Sequence, residues 1–569
     1  MDTGQGIKAL RLIPGASYFR ADPAIQTVLG LVLIALALVF VFAPLWYLLV
    51  RSLFDSQGIF VGLAQFWVYF ETPSLVDSLQ RSLRLSTIVA AVTTVLAFLF
   101  ALALTTTRMP AKGFFRAMAL IPLMAPSLLM AISLVYWFGN QGLLKSWMGQ
   151  TSIYGELGIT LGSMLWTFPH ALMVLLASLA SRDGRLPEAA QSLGASQWRV
   201  FWTVTVPQAR YGLLMSFVLV FVLVITDFGV AKVIGGQANV LATDLYRQVI
   251  GQQNFSMGAV VGVVLLLPAI GAFVLERHLR ARQAAALTAR ASIAQPLESR
   301  LIAIAATVFC SALSIVFIAM IGMAVFAAFA SFWPYNLQPS WRNFQFDDMD
   351  GGGWQTYWNS IRLGLATAVL GTLAAFTTAW LVEKSRAPVW MREALSFFAT
   401  LPMAIPGLAL GLGYILFFNQ PDNPLNGLYG GIWILVFCTV AHFFSTAHLT
   451  LVASLQQLDR EFERVAESLG QSFLKTLARV SVPVCLPAIL EVAGYFFVNA
   501  LTTVSAVVFL YSPSTQLASV AVLNMDDAGD VAPAAAMAVL IFLTAVIGRT
   551  LFALLSWAVL KRTQQWRVR

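Results

Sequence analysis

Residues 188–207 read Glu-Ala-Ala-Gln-Ser-Leu-Gly-Ala-Ser-Gln-Trp-Arg-Val-Phe-Trp-Thr-Val-Thr-Val-Pro, and residues 464–483 read Arg-Val-Ala-Glu-Ser-Leu-Gly-Gln-Ser-Phe-Leu-Lys-Thr-Leu-Ala-Arg-Val-Ser-Val-Pro. At an offset of 276 they share Ala190/Ala466, Ser192/Ser468, Leu193/Leu469, Gly194/Gly470, Ser196/Ser472, Val204/Val480, Val206/Val482 and Pro207/Pro483. Each copy predicts a short helix, a break at the glycine, where positive φ carries no steric penalty, and a second helix. That second helix is expected to end before Pro207 or Pro483, where the chain turns toward the next apolar run. Such a pair of short helices, held at both ends by long ones, is a lever.

The flanking runs say what the levers are attached to. The chain of 569 residues is 59% hydrophobic and only 11% charged, with mean hydropathy +0.78. A soluble domain carries roughly 25% charged residues, so the solvent here is the bilayer, whose core takes about 20 apolar residues per helix. Twelve runs qualify: 29–50, 85–107, 114–138, 157–180, 211–234 and 257–276, then 301–332, 361–382, 394–418, 430–453, 487–511 and 532–560. The expected fold is an all-α polytopic membrane protein of about twelve transmembrane helices. Pro122, Pro126, Pro402 and Pro406 fall inside runs, and neighbouring helices are expected to satisfy the backbone groups they free. Lys8, Arg11 and Arg20 precede a first run too long for a signal peptide, so it is read as a retained span.

With the N-terminus inside, the cytoplasmic segments are 1–28, 108–116, 182–210, 277–300, 384–393, 456–486 and 561–569. They hold 26 of the 35 lysines and arginines. The other face carries Asp347, Asp348, Asp350, Asp526, Asp527 and Asp530. The positive-inside rule therefore predicts a multi-pass protein of a bacterial inner membrane with both termini cytoplasmic, and the net charge of +9 needs no nucleic acid to explain it.

The repeat extends beyond the levers. Ser82-Leu83-Arg84-Leu85 matches Ser360-Ile361-Arg362-Leu363, Arg108-Met109-Pro110 matches Arg386-Ala387-Pro388, and Ile121–Pro126 matches Leu401–Pro406. The predicted organisation is a cytoplasmic N-terminus (1–28), a first six-span core (29–276, lever 182–210), a linker (277–300), a second core (301–560, lever 456–486) and a tail (561–569). An even number of spans per half makes the repeat parallel.

The lever sequences resemble the EAA motif of binding-protein-dependent ABC importer permeases of the type I kind, here in a fused two-core form. The resemblance implies that each lever is a coupling helix that docks into a groove on an ATPase subunit. The residues it assigns to coupling are Glu188, Ala189, Ala190, Gly194 and Pro207, and Arg464, Ala466, Glu467, Gly470 and Pro483. The second copy departs from the motif, with Arg464 where glutamate is usual, which puts that loop's ion pair with its ATPase in doubt. The implied partners are two ATPase subunits inside, a periplasmic or lipid-anchored solute-binding protein outside, and lipid. No phosphate-cradling G-x-x-x-x-G-K-[ST] loop occurs in the chain, so ATP is expected to be bound and hydrolysed by a partner. No catalytic set, metal-ligand spacing or cofactor motif is present. The three cysteines, Cys310, Cys438 and Cys485, lie in or beside apolar runs.

Asp227 stands in an apolar run, where a charge marks a functional site by default. It corresponds to Thr503 in the second half. One reading is a translocation path lined by Asp227, Lys232, Asn499, Thr502, Thr503 and Ser505; the other is an ion pair between Asp227 and Lys232. Arg549, inside the last run, is expected to snorkel or to pair with a backbone carbonyl. His170, His442 and His448 are expected to form helix-packing hydrogen bonds.

For the solute, fused permeases of this length resemble the ferric iron, thiamine and 2-aminoethylphosphonate branches of the family. The stretches Asp227–Gly236, Asn239–Asp244 and Gly251–Phe255 are most similar to the 2-aminoethylphosphonate branch. Rival classes are a twelve-span carrier driven by an ion gradient, which also has parallel halves, and a membrane-embedded enzyme. The spaced lever motifs and the scarcity of membrane acids stand against the first, and the missing catalytic set against the second.

Overall fold

The computed structural model describes residues 16–180, 182–286, 299–459 and 461–563. Residues 287–298 of the expected linker (277–300), the first fifteen residues and residues 564–569 of the expected tail (561–569) lie outside them. Among the described residues the chain is helical apart from loops and one small hairpin, Ala330–Phe332 paired with Asn336–Pro339. Ten helices among the described residues are long and apolar enough to cross a bilayer, or up to twelve spans if each of two bent helix pairs counts as one.

Those bent pairs correct the reading of two predicted spans. Run 114–138 is two helices, Lys112–Met124 and Ser127–Phe138, meeting at 103°; run 394–418 is Val389–Ala404 and Gly407–Phe418, meeting at 113°. The cause is local. The residue before a proline is driven out of the α region, and Ala125 (φ −96, ψ 141) and Ile405 (φ −109, ψ 116) are both extended. Pro126 and Pro406 thus turn the chain through more than a right angle rather than merely freeing a carbonyl.

Runs 211–234 and 487–511 are also broken. The first helix stops at Ile225 and resumes as a short turn of helix at Gly229–Ile234. The second stops at Thr502, and residues 503–517 follow as turns and coil.

Within each half, three long helices pack together: Pro73–Thr106, Glu156–Ala180 and Gln197–Ile225 in the first, and Gly353–Glu383, Ile432–Gln456 and Phe473–Thr502 in the second. Equivalent backbone groups are capped identically. Leu241 N donates to Ser82 Oγ at 2.8 Å, and Ala518 N donates to Ser360 Oγ at 2.8 Å.

The first span of each half is exchanged. Ala24–Arg51 lies on Val389–Thr400 and Gly407–Phe418 of the second half, while Arg300–Phe329 lies on Lys112–Leu120 and Ser127–Phe138 of the first. The fit is close: a β-carbon on Gly413 would meet the Pro44 carbonyl oxygen at 2.6 Å, and the Tyr414 hydroxyl donates to Phe40 O at 2.6 Å. The two halves are thereby interlocked around one seam.

Candidate functional site

The first lever begins with helix Arg185–Ser192. Gly194, at φ +81, ends it: Ala195 N reaches back to Ala190 O at 3.0 Å, and Gly194 N to Gln191 O at 2.9 Å. This is a glycine-terminated helix stop that satisfies the last carbonyls. Ser196 then caps the next helix, its Oγ accepting from Arg199 N at 3.3 Å. The second lever repeats the arrangement with helix Glu461–Ser468, Gly470 at φ +67, and Gln471 N to Ala466 O at 2.9 Å.

The second helix of each lever does not end before the proline, as the sequence had suggested. It runs unbroken into the membrane, as Gln197–Ile225 and as Phe473–Thr502. A π-helical turn precedes each proline, at Phe201–Thr205 and Leu477–Ser481. A proline in regular helix clashes with the carbonyl four residues back, and the wider turn gives that carbonyl room. Pro207 and Pro483 are therefore in continuous rods that join lever to span.

On the outside of these levers, apolar side chains face solvent. Leu193 is 88% exposed and Leu469 67%, with Leu186, Trp198, Phe462, Val465 and Leu474 also exposed. Arg464 is exposed as well. The second lever is tied down from within: Lys384, whose side chain is only 2% exposed, donates to Leu458 O at 2.7 Å and lies 3.6 Å from Glu463. Glu463 thus points at the protein, away from the face where Arg464 stands.

At the break after Ile225, Asp227 Oδ2 accepts from Val230 N at 2.9 Å, with the Ser127 hydroxyl nearby. A cavity of about 10 Å³, with Ser82, Ser86 and Ser163 in its wall, adjoins Asp227. In the second half, Asn499 Nδ2 and the Thr502 hydroxyl are spent on their own helix, donating to Tyr495 O and Val498 O. Thr503 O accepts from Ser519, and Ser505 packs on Gly407.

Lys232 does not pair with Asp227. Its Nζ lies 2.9 Å from Asp527 Oδ1 of the second half and 5.6 Å from the centroid of the Tyr246 ring. Tyr246 in turn stacks on Phe509 at 6.1 Å. These contacts bridge the halves on the face opposite the levers. A wider cavity of about 500 Å³ opens beside them, between Tyr136, Asn140 and Tyr154 of the first half and Trp333, Arg342 and Asp530 of the second.

Arg549 binds the Glu491 carboxylate at 2.6 Å, with the Glu491 carbonyl a more distant 3.4 Å. The rings of His170, His442 and His448 pack on Trp166, Phe443 and Phe444. Their buried Nδ1 atoms have no hydrogen-bond partner, so the expected packing hydrogen bonds are not made through these atoms.

Sequence reasoning missed Lys384, Ser127, Tyr246 and Phe509, and used Asp527 only for orientation. Ser127 was within reach, since it follows the repeated Pro126 as Gly407 follows Pro406. The partner of Lys232 had no local signal.

An all-helical, two-half membrane protein with paired levers on one face and a charged seam on the other is a transporter architecture. Residues 107–284 and 369–560 match the model of the family described as binding-protein-dependent transport system inner membrane component, and the chain belongs to that family. It is 27% identical over 504 residues to the ferric transport system permease protein FbpB of Actinobacillus pleuropneumoniae, an alignment covering 84% of this chain and 72% of that one. It is 25% identical over 213 residues to the putative 2-aminoethylphosphonate transport system permease protein PhnV of Salmonella choleraesuis (strain SC-B67), covering 37% of this chain and 77% of that one. Among solved structures, a bacterial ABC transporter involved in the import of the acidic polysaccharide alginate matches with TM-score 0.38 and 17% identity, over 48% of this chain and 99% of that chain.

Proposed function

We propose that this chain supplies both membrane-spanning cores of an ATP-driven importer, with both termini and both levers cytoplasmic. Two ATPase subunits dock on the levers, one on Glu188–Ala190 and Gly194, the other on Arg464, Ala466, Glu467 and Gly470. A solute-binding protein docks on the opposite face. ATP binding closes the ATPases, moves the rods that begin at Gln197 and Phe473, and opens the seam outward; hydrolysis resets it.

The observation that carries this reading is the apolar surface of the levers. Leu193 and Leu469 are equivalent positions, and both are held out into solvent by a rigid helix stop. Burying a leucine is worth roughly 1.5–3 kcal/mol, so two such residues on stiff rods suit a partner's groove. The test is co-purification. Leu193→Glu with Leu469→Glu should release the ATPase subunits while the chain still inserts. Retention of both ATPases by that variant would sink the docking reading.

For the solute, we favour 2-aminoethylphosphonate, a small zwitterion, because the seam offers charges of both signs in Lys232 and Asp527. Ferric iron is the second reading, favoured by the relative named for ferric transport, which aligns across both halves. ATP-dependent uptake of each labelled solute, in vesicles holding the chain with the ATPase and binding protein encoded beside it, separates the two.

A further inference from the structure

Lys232 is five residues beyond Asp227 toward the face opposite the levers, on the short helix Gly229–Ile234. Asp527 lies on helix Ala518–Ala528 of the other half. Arg81 and Arg84 with Glu156, Arg280 with Glu276, Lys384 with Glu463 and Arg549 with Glu491 each join residues of one half. The pair Lys232–Asp527 instead crosses the seam. Beneath it the Tyr246 ring lies against Phe228 at 4.8 Å in its own half and against Phe509 in the other. Asp526 adds a second carboxylate on the Asp527 side, close enough to Lys232 for the two charges to interact.

We propose that Lys232 and Asp527 form an outer latch that selects zwitterions: opening the seam parts Lys232 from Asp526 and Asp527, and a solute carrying both an anionic group and an ammonium re-pairs both walls. This rests on reading the chain as an importer that opens alternately.

The physics runs through the unpaired state. Parting the pair leaves an ammonium on one wall and two carboxylates on the other, each in a partly desolvated mouth where lost pairing is costly. A ligand can favour the open state only by binding it better than the closed one. A simple anion compensates Lys232 alone, and a cation compensates the carboxylates alone. A zwitterion compensates both at once. Lysine suits this task because its ammonium is a compact charge that meets a tetrahedral oxyanion without demanding a planar fork. The aromatic floor of Tyr246 and Phe509 offers an apolar surface to the short methylene spacer.

The test uses the whole complex, with ATPases and binding protein, in proteoliposomes. Lys232→Met and Asp527→Asn should each raise solute-independent ATP hydrolysis severalfold, because the closed state loses its clasp. Each should cut uptake of 2-aminoethylphosphonate at least tenfold. The exchanged variant, Lys232→Asp with Asp527→Lys, should bring basal hydrolysis back to within about twofold of the unsubstituted complex. Ethylphosphonate, which lacks the ammonium, and ethylamine, which lacks the phosphonate, should each compete at least tenfold less well than the zwitterion. A second variant guards against misfolding: Lys232→Cys with Asp527→Cys, joined by a short thiol cross-linker, should stop uptake, and a cleavable linker should restore it on reduction.

Unchanged hydrolysis and uptake in both single variants, continued uptake by the cross-linked protein, or equal competition by ethylphosphonate would each overturn the latch while leaving the importer intact. Uptake confined to ferric iron would overturn the zwitterion selection. An unsubstituted complex that moves no solute with ATP would instead bring down the importer reading, and the latch with it.

Discussion

Ser127 and Gly229 are packed so closely that a β-carbon on Gly229 would lie 2.5 Å from the serine hydroxyl oxygen. In the second half the roles are exchanged: Gly407, equivalent to Ser127, would put its β-carbon 2.5 Å from the hydroxyl oxygen of Ser505, equivalent to Gly229. Each half thus has room for one hydroxymethyl group between its proline bend and the end of its lever rod, supplied from opposite sides.

Gly229→Ala and Gly407→Ala should therefore overpack the contact, costing about 1–3 kcal/mol each. The exchange Ser127→Gly with Gly229→Ser rebuilds in the first half the arrangement found in the second. It should recover most of the stability lost by Gly229→Ala. Thermal unfolding of the purified complex reads this directly. An exchange variant no more stable than Gly229→Ala would mean the two contacts are not equivalent.

Gly194 makes a sharper claim, because its space is open: a β-carbon there would meet nothing within 4 Å. Gly194→Ala has only the left-handed backbone to pay, about 1–2 kcal/mol, and should leave partial uptake. Gly194→Pro and Gly470→Pro cannot hold positive φ at all, and Gly194→Pro also loses the bond from Gly194 N to Gln191 O. Both should abolish coupled transport while the protein still inserts. Normal uptake by both proline variants would refute the lever role.

How much of this was legible beforehand follows from the kind of signal. The spans were visible because hydropathy adds along a run, and the levers because their spacing recurs. Hydropathy has no direction, so the sharp bends at Pro126 and Pro406 were invisible in it, although Pro itself was in view. The continuous rods through Pro207 and Pro483 depended on π turns that composition does not announce. The exchange of first spans, and the choice of Asp527 over Asp227 by Lys232, are contacts between residues far apart in the chain. A single sequence carries no local trace of them.

Lys384 separates anchoring from docking. Its side chain is buried between Leu458 O and Glu463. Lys384→Met removes the cation and leaves the Glu463 carboxylate half-buried and unmatched, a loss of about 3 kcal/mol for such pairs. Amide exchange in helix Glu461–Ser468 should then speed up, with the Arg185–Ser192 helix unaffected. Lys384→Met with Glu463→Gln should return much of the protection. Equal exchange in both levers would show that Lys384 does not hold the second one.

Asp227 can be tested for charge apart from shape. Asp227→Asn keeps an oxygen able to accept from Val230 N, so the break after Ile225 should stand. If the charge serves the path, Asp227→Asn and Asp227→Ala should lower uptake alike without loss of ATPase assembly. If the carboxylate only holds the turn, Asp227→Asn should transport normally and Asp227→Ala alone should fail.

Asp526 lies outside the long spans, on helix Ala518–Ala528, and titrates where experiments are convenient. Burial raises its carboxyl from the ordinary value to about 6, the Asp527 carboxylate adds to the rise, and Lys232 opposes it. A carboxyl whose folded value lies above its unfolded one holds its proton better when folded. Stability from this group is therefore full below about pH 4 and is lost as pH rises toward and through about 6. The charged form at neutral pH is buried beside the Asp527 carboxylate, and the attraction of Lys232 offsets only part of that cost. Thermal unfolding of the complex should accordingly show a downward step in stability between about pH 4 and 6 that Asp526→Asn removes, with the variant the more stable of the two at pH 7. A wild-type step that survives in Asp526→Asn would assign the titration to another group and leave Asp526 without influence on the seam.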